Sequence, residues 1–175
     1  MNAYCPHCQA EHPLPSANAR PLCGVCSAPL VLAERFVLVE KAPVEQGADV
    51  ADGAAPMWKG QDTQSGRPVI VRLSPTADAA RLRREATILR GLSHPRVPRV
   101  LALDDVPGVG LALVLTRPSG ACLETALEKG LRTDARGGRR FLEEALSLLS
   151  YLHALSPPVF HRHIQPRALF WDAEF

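Results

Sequence analysis

Apolar and polar positions first fall into a clear pattern at RFVLVEK, residues 35–41, where Phe36, Leu38 and Glu40 alternate with Val37 and Val39. A period of two predicts a β-strand. MWKGQD (57–62) and RPVIVRLS (67–74) read as two more strands, joined by TQSG with Gly66 at the tight point of a hairpin. The period then changes. From Thr76 to Leu92 the apolar residues Leu82, Ala86, Leu89 and Leu92 recur at helical spacing. Ser74 offers an N-cap and Pro75 a first helical residue, while Gly91 and Pro95 stop the helix. RVPRVLALDD and GLALVLTRP predict two further strands around the turn VPGVG. CLETALEKG predicts a short helix. Phe141, Ala145, Leu148, Leu149 and Leu152 mark a longer one that runs to His153 and ends before Pro157 and Pro158. Three strands, a helix, two strands and two helices make an α+β fold with a mostly antiparallel sheet.

Two stretches carry neither period. Residues 42–56 are small, acidic and Gly-containing, which predicts a loop. Residues 1–30 are polar and rich in Pro and Cys, and predict two short turns. The resulting division is 1–32, 33–117 and 118–175. Four of the five cysteines fall in the first segment as Cys5, Cys8, Cys23 and Cys26, spaced C-x2-C-x14-C-x2-C. A C-x2-C pair lets two thiolates from one turn reach the same ion, and two pairs complete a tetrahedral site suited to zinc. Pro6 and Gly24 help shape the turns. The segment resembles a zinc ribbon, which implies one Zn2+ per chain. Four protein thiolates leave no position for water, so the role expected is structural. Chelation is then expected to unfold residues 1–30 and leave the rest intact. His7 and His12 stand near, but four cysteines already complete the site. Cys122 reads as a small buried apolar residue.

Composition narrows the function classes. Hydrophobic content of 46% and charged content of 22% are ordinary for a soluble globular protein, and a net charge of +2 calls for no polyanionic partner. Arg81, Arg83, Arg84, Arg90, Arg96 and Arg99 crowd one helix and the turn after it, with Asp78 and Glu85 among them, and read as a solvated face. Nucleic-acid binding is accordingly not expected, although a zinc-ribbon nucleic-acid binder is a second alternative reading. No apolar run approaches the roughly 18 residues of a membrane span, and MNAYCPHCQAEHP lacks the charged-then-apolar pattern of a signal peptide. A cytoplasmic location, where thiols stay reduced, is the expectation.

From about residue 35 onward the chain resembles the Hanks-type Ser/Thr protein kinase domain. VIVRL stands where that family has its V-A-I-K strand, with Arg72 at the lysine position. RREATILRGLSHPRVPRVLAL is similar to the family's paired-glutamate helix, with Glu85 as the glutamate. YLH, then HR, then Pro in YLHALSPPVFHRHIQPRALFWD fall at the spacing of the family's long helix and catalytic loop. The likeness covers about half of the family's domain, ending before the D-F-G segment. It implies a sheet lobe with one helix, followed by the first helices of the helical lobe.

The chemistry that the resemblance implies has been replaced position by position. Phosphoryl transfer rests on positioning and charge neutralisation. The loop Asp, which accepts the substrate proton, is His163 here; the loop Lys is Gln165; the Mg2+-holding Asn is Ala168. The Gly-rich phosphate turn is missing, since residues 42–56 carry Gly47 and Gly53 at the wrong spacing, together with Asp49 and Asp52. Arg72 can still brace Glu85 but does not replace the lysine at the phosphates. His161 and Arg162 serve the fold of the loop. The expectation is a catalytically inactive pseudokinase that binds no ATP and acts by protein–protein interaction in signalling or regulation. The first alternative is the N-terminal part of an active kinase. The broad leucine stripe, with Leu142, Leu146 and Leu149, predicts that the stretch from Phe141 to Phe175 packs on another protein or on a second copy of the chain.

Overall fold

A computed structural model of the 175-residue chain describes residues 2–16, 18–41, 57–74, 79–162 and 164–172. They form two compact units, Met1–Arg117 and Pro118–Phe175. In the first, seven strands build one antiparallel sheet: β1 (Asn2–Tyr4), β2 (Glu11–Pro13), β3 (Phe36–Lys41), β4 (Met57–Asp62), β5 (Pro68–Ser74), β6 (Val100–Val106) and β7 (Gly110–Thr116). Their order is β2-β1-β3-β4-β5-β7-β6. Helix α1 (Ala79–Arg90) contributes the buried residues Leu82 and Ala86.

The alternation of side chains sorts the sheet into two cores. On β7, Ala112 and Val114 join Leu38, Trp58, Val69, Val71 and Leu73 on one face. Leu111, Leu113 and Leu115 point the other way and pack with Leu82, Ala86 and Ile70 beside α1. The apolar run of β7 is therefore buried throughout, as a central strand covered on both faces requires. Gly60 permits a close approach of β3 and β5. A Cβ there would sit 2.9 Å from the Val37 carbonyl and 2.9 Å from a methyl of both Val69 and Val71. The hairpin turn between β4 and β5 closes as expected, with Gly66 at a φ of +69°.

What covers the face opposite α1 is the cysteine-bearing segment. Its β1 pairs with β3 through Tyr4 and Leu38. Tyr4 meets Trp58 ring to ring at 6.0 Å. Leu32 and Phe36 lie in the same core as Val71 and Val114. The Ala33 N–H donates to Asp104 Oδ2 at 2.7 Å, tying the end of the segment to β6 at the far edge of the sheet. This explains a departure from the alternation read at 35–41: Phe36, Val37 and Leu38 are all buried.

One element boundary differs from expectation, and two others border residues outside the description. Ser74 is the buried last residue of β5. Residues 75–78, with the expected first turn of the helix, and residues 42–56 lie outside the described residues. In the second unit, helix α3 (Ala135–His153) begins six residues earlier than the leucine stripe. Its first turns contain Gly137 and Gly138, poor helix formers that mask the pattern. Asp134 supplies the cap, its Oδ1 accepting from the Gly137 N–H at 2.7 Å. Before α3 come β8 (Ala121–Cys122) and α2 (Leu123–Glu128); after it come a 3-10 turn, Pro166–Ala168, and β9 (Phe170–Trp171). β8 and β9 pair antiparallel, an association of residues almost fifty apart that no local pattern announces. Cys122 is only half-buried, its Sγ 3.7 Å from the Arg167 carbonyl, so it is less enclosed than its reading as a core residue.

Candidate metal centre and catalytic-loop positions

The four cysteines sit on two turns built alike. In the first, the Cys5 N–H donates to the Ala10 carbonyl at 2.9 Å and the Gln9 N–H to the Cys5 carbonyl at 3.0 Å. In the second, the Cys23 N–H donates to Ala28 at 2.8 Å and the Ser27 N–H to Cys23 at 2.9 Å. Gln9 and Ser27 follow Cys8 and Cys26, and both take positive φ, 61° and 58°. Such left-handed residues fold each turn back so that its two sulfurs face one point. All four sulfurs lie within 4.8 Å of one another. Cys5 and Cys26 are 3.5 Å apart, as are Cys8 and Cys23. Those separations are far beyond the roughly 2.05 Å of a disulfide. The arrangement can hold a metal ion.

The electrostatics fit thiols crowded around one point. Burial, the largest effect, pushes the Cys5 thiol up to about 12. Burial also acts to raise Cys23, but the N–H groups of Val25 and Cys26 and the side chains of Cys8 and His12 outweigh it and hold that thiol down at about 6. The Val25 N–H reaches Cys23 Sγ at 3.4 Å. A divalent cation at the centre would favour the thiolate form of all four, since metal binding displaces their protons. His12 lies where the cysteine spacing alone gave it no part: its Nε2 stands 3.2 Å from Cys23 Sγ. The only sequence signal was its nearness in the chain to the cysteine pairs.

In the sheet lobe, Arg72 and Glu85 come together. Alternation along β5 turns Arg72 toward the α1 face, opposite to Val71 and Leu73. Its Nη1 donates to both Glu85 oxygens. One nitrogen bridging two oxygens differs from the two-nitrogen fork expected of an arginine–carboxylate pair. The side chains are 23% and 29% exposed, so the pair is partly shielded from water.

The remaining positions belong to the second unit. His163 lies outside the described residues. Gln165 precedes the 3-10 turn in an extended conformation, and Ala168 closes that turn with its N–H on the Gln165 carbonyl at 2.9 Å. Ala168 is exposed and offers only a methyl group. His161 and Arg162 are exposed, Arg162 at a φ of 60°.

Sequence reasoning also passed over an ion pair between the exposed Arg35 and a buried carboxylate. Asp62, at the end of β4, is 3% exposed. Arg35 grips it with Nε at 2.7 Å and Nη2 at 2.6 Å, while Ser65 and the Gln64 N–H donate to the same carboxylate. The Arg35 bonds, the largest effect, hold the Asp62 carboxyl far below the ordinary carboxylate range. The pair latches the start of β3 to the hairpin turn.

No protein-family profile matches the sequence. Among solved structures, the chain is similar to the crystal structure of Rad53 1-466 in complex with AMP-PNP. The TM-score is 0.60 at 22% identity, over 77% of this chain and 34% of that one. The chain thus spans about a third of the structure it matches. The likeness shows the fold: a protein-kinase-like sheet lobe, carrying a four-cysteine cluster at its N-terminal end.

Proposed function

We propose that this chain is a catalytically silent, kinase-like module with a structural zinc, acting by binding another protein. The observation that supports silence is the Pro166–Ala168 turn. In the resemblance, the residue at Ala168 holds Mg2+, and here it has no ligand atom; Gln165 next to the turn carries no charge to balance a migrating phosphoryl group. Arg72 has its Nη1 spent on both oxygens of Glu85, which supports a brace within the sheet lobe and nothing at a phosphate. Zinc is favoured by the donor set. Four thiolates at about 2.3 Å from a tetrahedral ion would stand about 3.8 Å apart, close to the sulfur separations seen. Cys5, Cys8, Cys23 and Cys26 fill all four positions, so the ion would shape the segment and hold no reactant.

The test uses the whole chain with Mg2+-ATP. No rise in melting temperature and no phosphate transfer to itself or to a generic substrate are expected. A saturable rise, which a ligand produces as RT ln(1 + [L]/Kd), or incorporated phosphate would overturn the reading and favour an active kinase fragment.

The binding role is supported by the second unit. Leu142 and Leu146 on α3 are 60% and 61% exposed, and Phe160 and Ile164 beyond it 55% and 58%. Leu142 and Leu146, one helical turn apart, form an exposed apolar pair of the kind that marks an interaction site. Of the leucine stripe read in the sequence, Leu142 and Leu146 are exposed, Leu149 is half-buried and Leu152 is buried. Leu146→Asp should therefore abolish association and keep the fold, whereas Leu152→Asp should unfold the helix. Sedimentation of the parent chain separates a second copy from a different protein as the occupant.

A further inference from the structure

We propose that His12 is a positioning residue of the metal centre, donating its Nε2 proton to the Cys23 sulfur and so holding that ligand in place. The inference rests on the reading of the four cysteines as a metal site and adds a residue to it. Three observations carry it. His12 Nε2 stands 3.2 Å from Cys23 Sγ, within reach of an N–H···S hydrogen bond. The ring cannot drift far, because His12 is the middle residue of β2 and is registered against Ala3 of β1, two positions before Cys5. Ala3 and Cys5 are both fully buried, so the strand pair that carries the imidazole is anchored at the core of the site. Finally, among the described residues the ligand atoms mutually within 4.8 Å are the four sulfurs, without the His12 nitrogen. The imidazole therefore reaches Cys23 from outside the set and does not complete it.

The chemistry follows from the charge of the site. A dianionic four-thiolate centre is stabilised by N–H donors pointed at its sulfurs. Cys23 already accepts from the Val25 N–H at 3.4 Å. A second donor, from β2 and outside the Cys23 turn, would fix the direction of the Cys23 sulfur as well as its charge. Partners of this kind commonly change metal affinity by about 10- to 100-fold when removed.

The test compares zinc affinity of the whole chain by competition with a chromophoric chelator, in the parent, His12→Phe and His12→Gln. Phe keeps a ring but no donor, and Gln keeps an N–H at similar reach. Expected is a loss of about 10- to 100-fold for His12→Phe, with His12→Gln much nearer the parent. Cobalt(II) substitution should give the same four-thiolate spectrum in all three. Equal zinc affinity for parent and His12→Phe would overturn the inference, as would a cobalt spectrum that loses a nitrogen ligand in the variant. A parent chain that takes up neither metal would instead sink the reading of the cysteines on which it rests. Melting curves of the zinc-loaded variants keep a folding defect from passing as a loss of affinity.

Discussion

The two units of the chain handle apolar surface in opposite ways. In Met1–Arg117 two cores sandwich the sheet, and all but one of the buried apolar side chains among the described residues lie there. Among the described residues of Pro118–Phe175 only Leu152 is buried, while α3 leaves Leu142 and Leu146 in water. The second unit is nonetheless the richer in leucine, with 10 in 58 residues against 14 in 117. What separates them is cover: the sheet has α1 on one face and the cysteine segment on the other. A seven-stranded sheet with both faces covered can be stable by itself. A helix with one leucine buried lacks most of the surface that offsets the entropy of ordering it.

The largest effect should come from withdrawing the metal. Structural zinc in finger peptides is worth about 10–16 kcal/mol of apparent binding energy, and this is also folding energy. Because Leu32 and Tyr4 pack in the core of the sheet and Ala33 is tied to Asp104, the loss should not stop at residue 30. Chelation is expected to lower the melting temperature of the first unit and to open amide exchange in β3 and β4. Unchanged protection of those strands after metal removal would mean that the segment is an independent ribbon after all.

Next in size is a matched pair of truncations. Leu38→Ala, at a site with no exposed surface, should cost about 3 kcal/mol, as lost burial plus a cavity. Leu146→Ala should stay within about 0.5 kcal/mol, as surface changes do. Urea denaturation of both variants measures the contrast directly. Equal costs would erase the distinction between the units.

The smallest effect concerns the latch between Arg35 and Asp62. Asp62→Asn should cost about 2 kcal/mol at neutral pH, the scale of hydrogen bonds to a charged group. The folded carboxyl lies below its ordinary value of 3.8. Its contribution is therefore fully present above that value and is lost as pH falls through it toward the folded one. The stability gap between parent and Asp62→Asn should narrow between about pH 5 and pH 2. Taking the difference cancels the acid sensitivity of the thiolates, which both proteins share. A gap constant over that range would mean that Asp62 is not the titrating group.

Local chemistry was legible in the sequence by itself. Two C-x2-C turns, a Gly66 hairpin, the period of two in β3 to β5 and the leucine spacing of α3 each act over a few residues, so a window of the chain contains their cause. Arg72 and Glu85 could be paired through a family resemblance, though not the one-nitrogen geometry of their contact. Only the tertiary structure decided where the metal segment goes. The pairing of Tyr4 with Leu38 and the bond from Ala33 to Asp104 join residues far apart in the chain, and His12 meets Cys23, eleven residues on, only once the two turns have come together. They depend on how the whole sheet stacks and twists, and no period or spacing near either partner records it. The same reason hid the buried state of Val37 and the exposure of Leu146: a side chain's own pattern says that it is apolar, and only its neighbours in space determine whether it is covered.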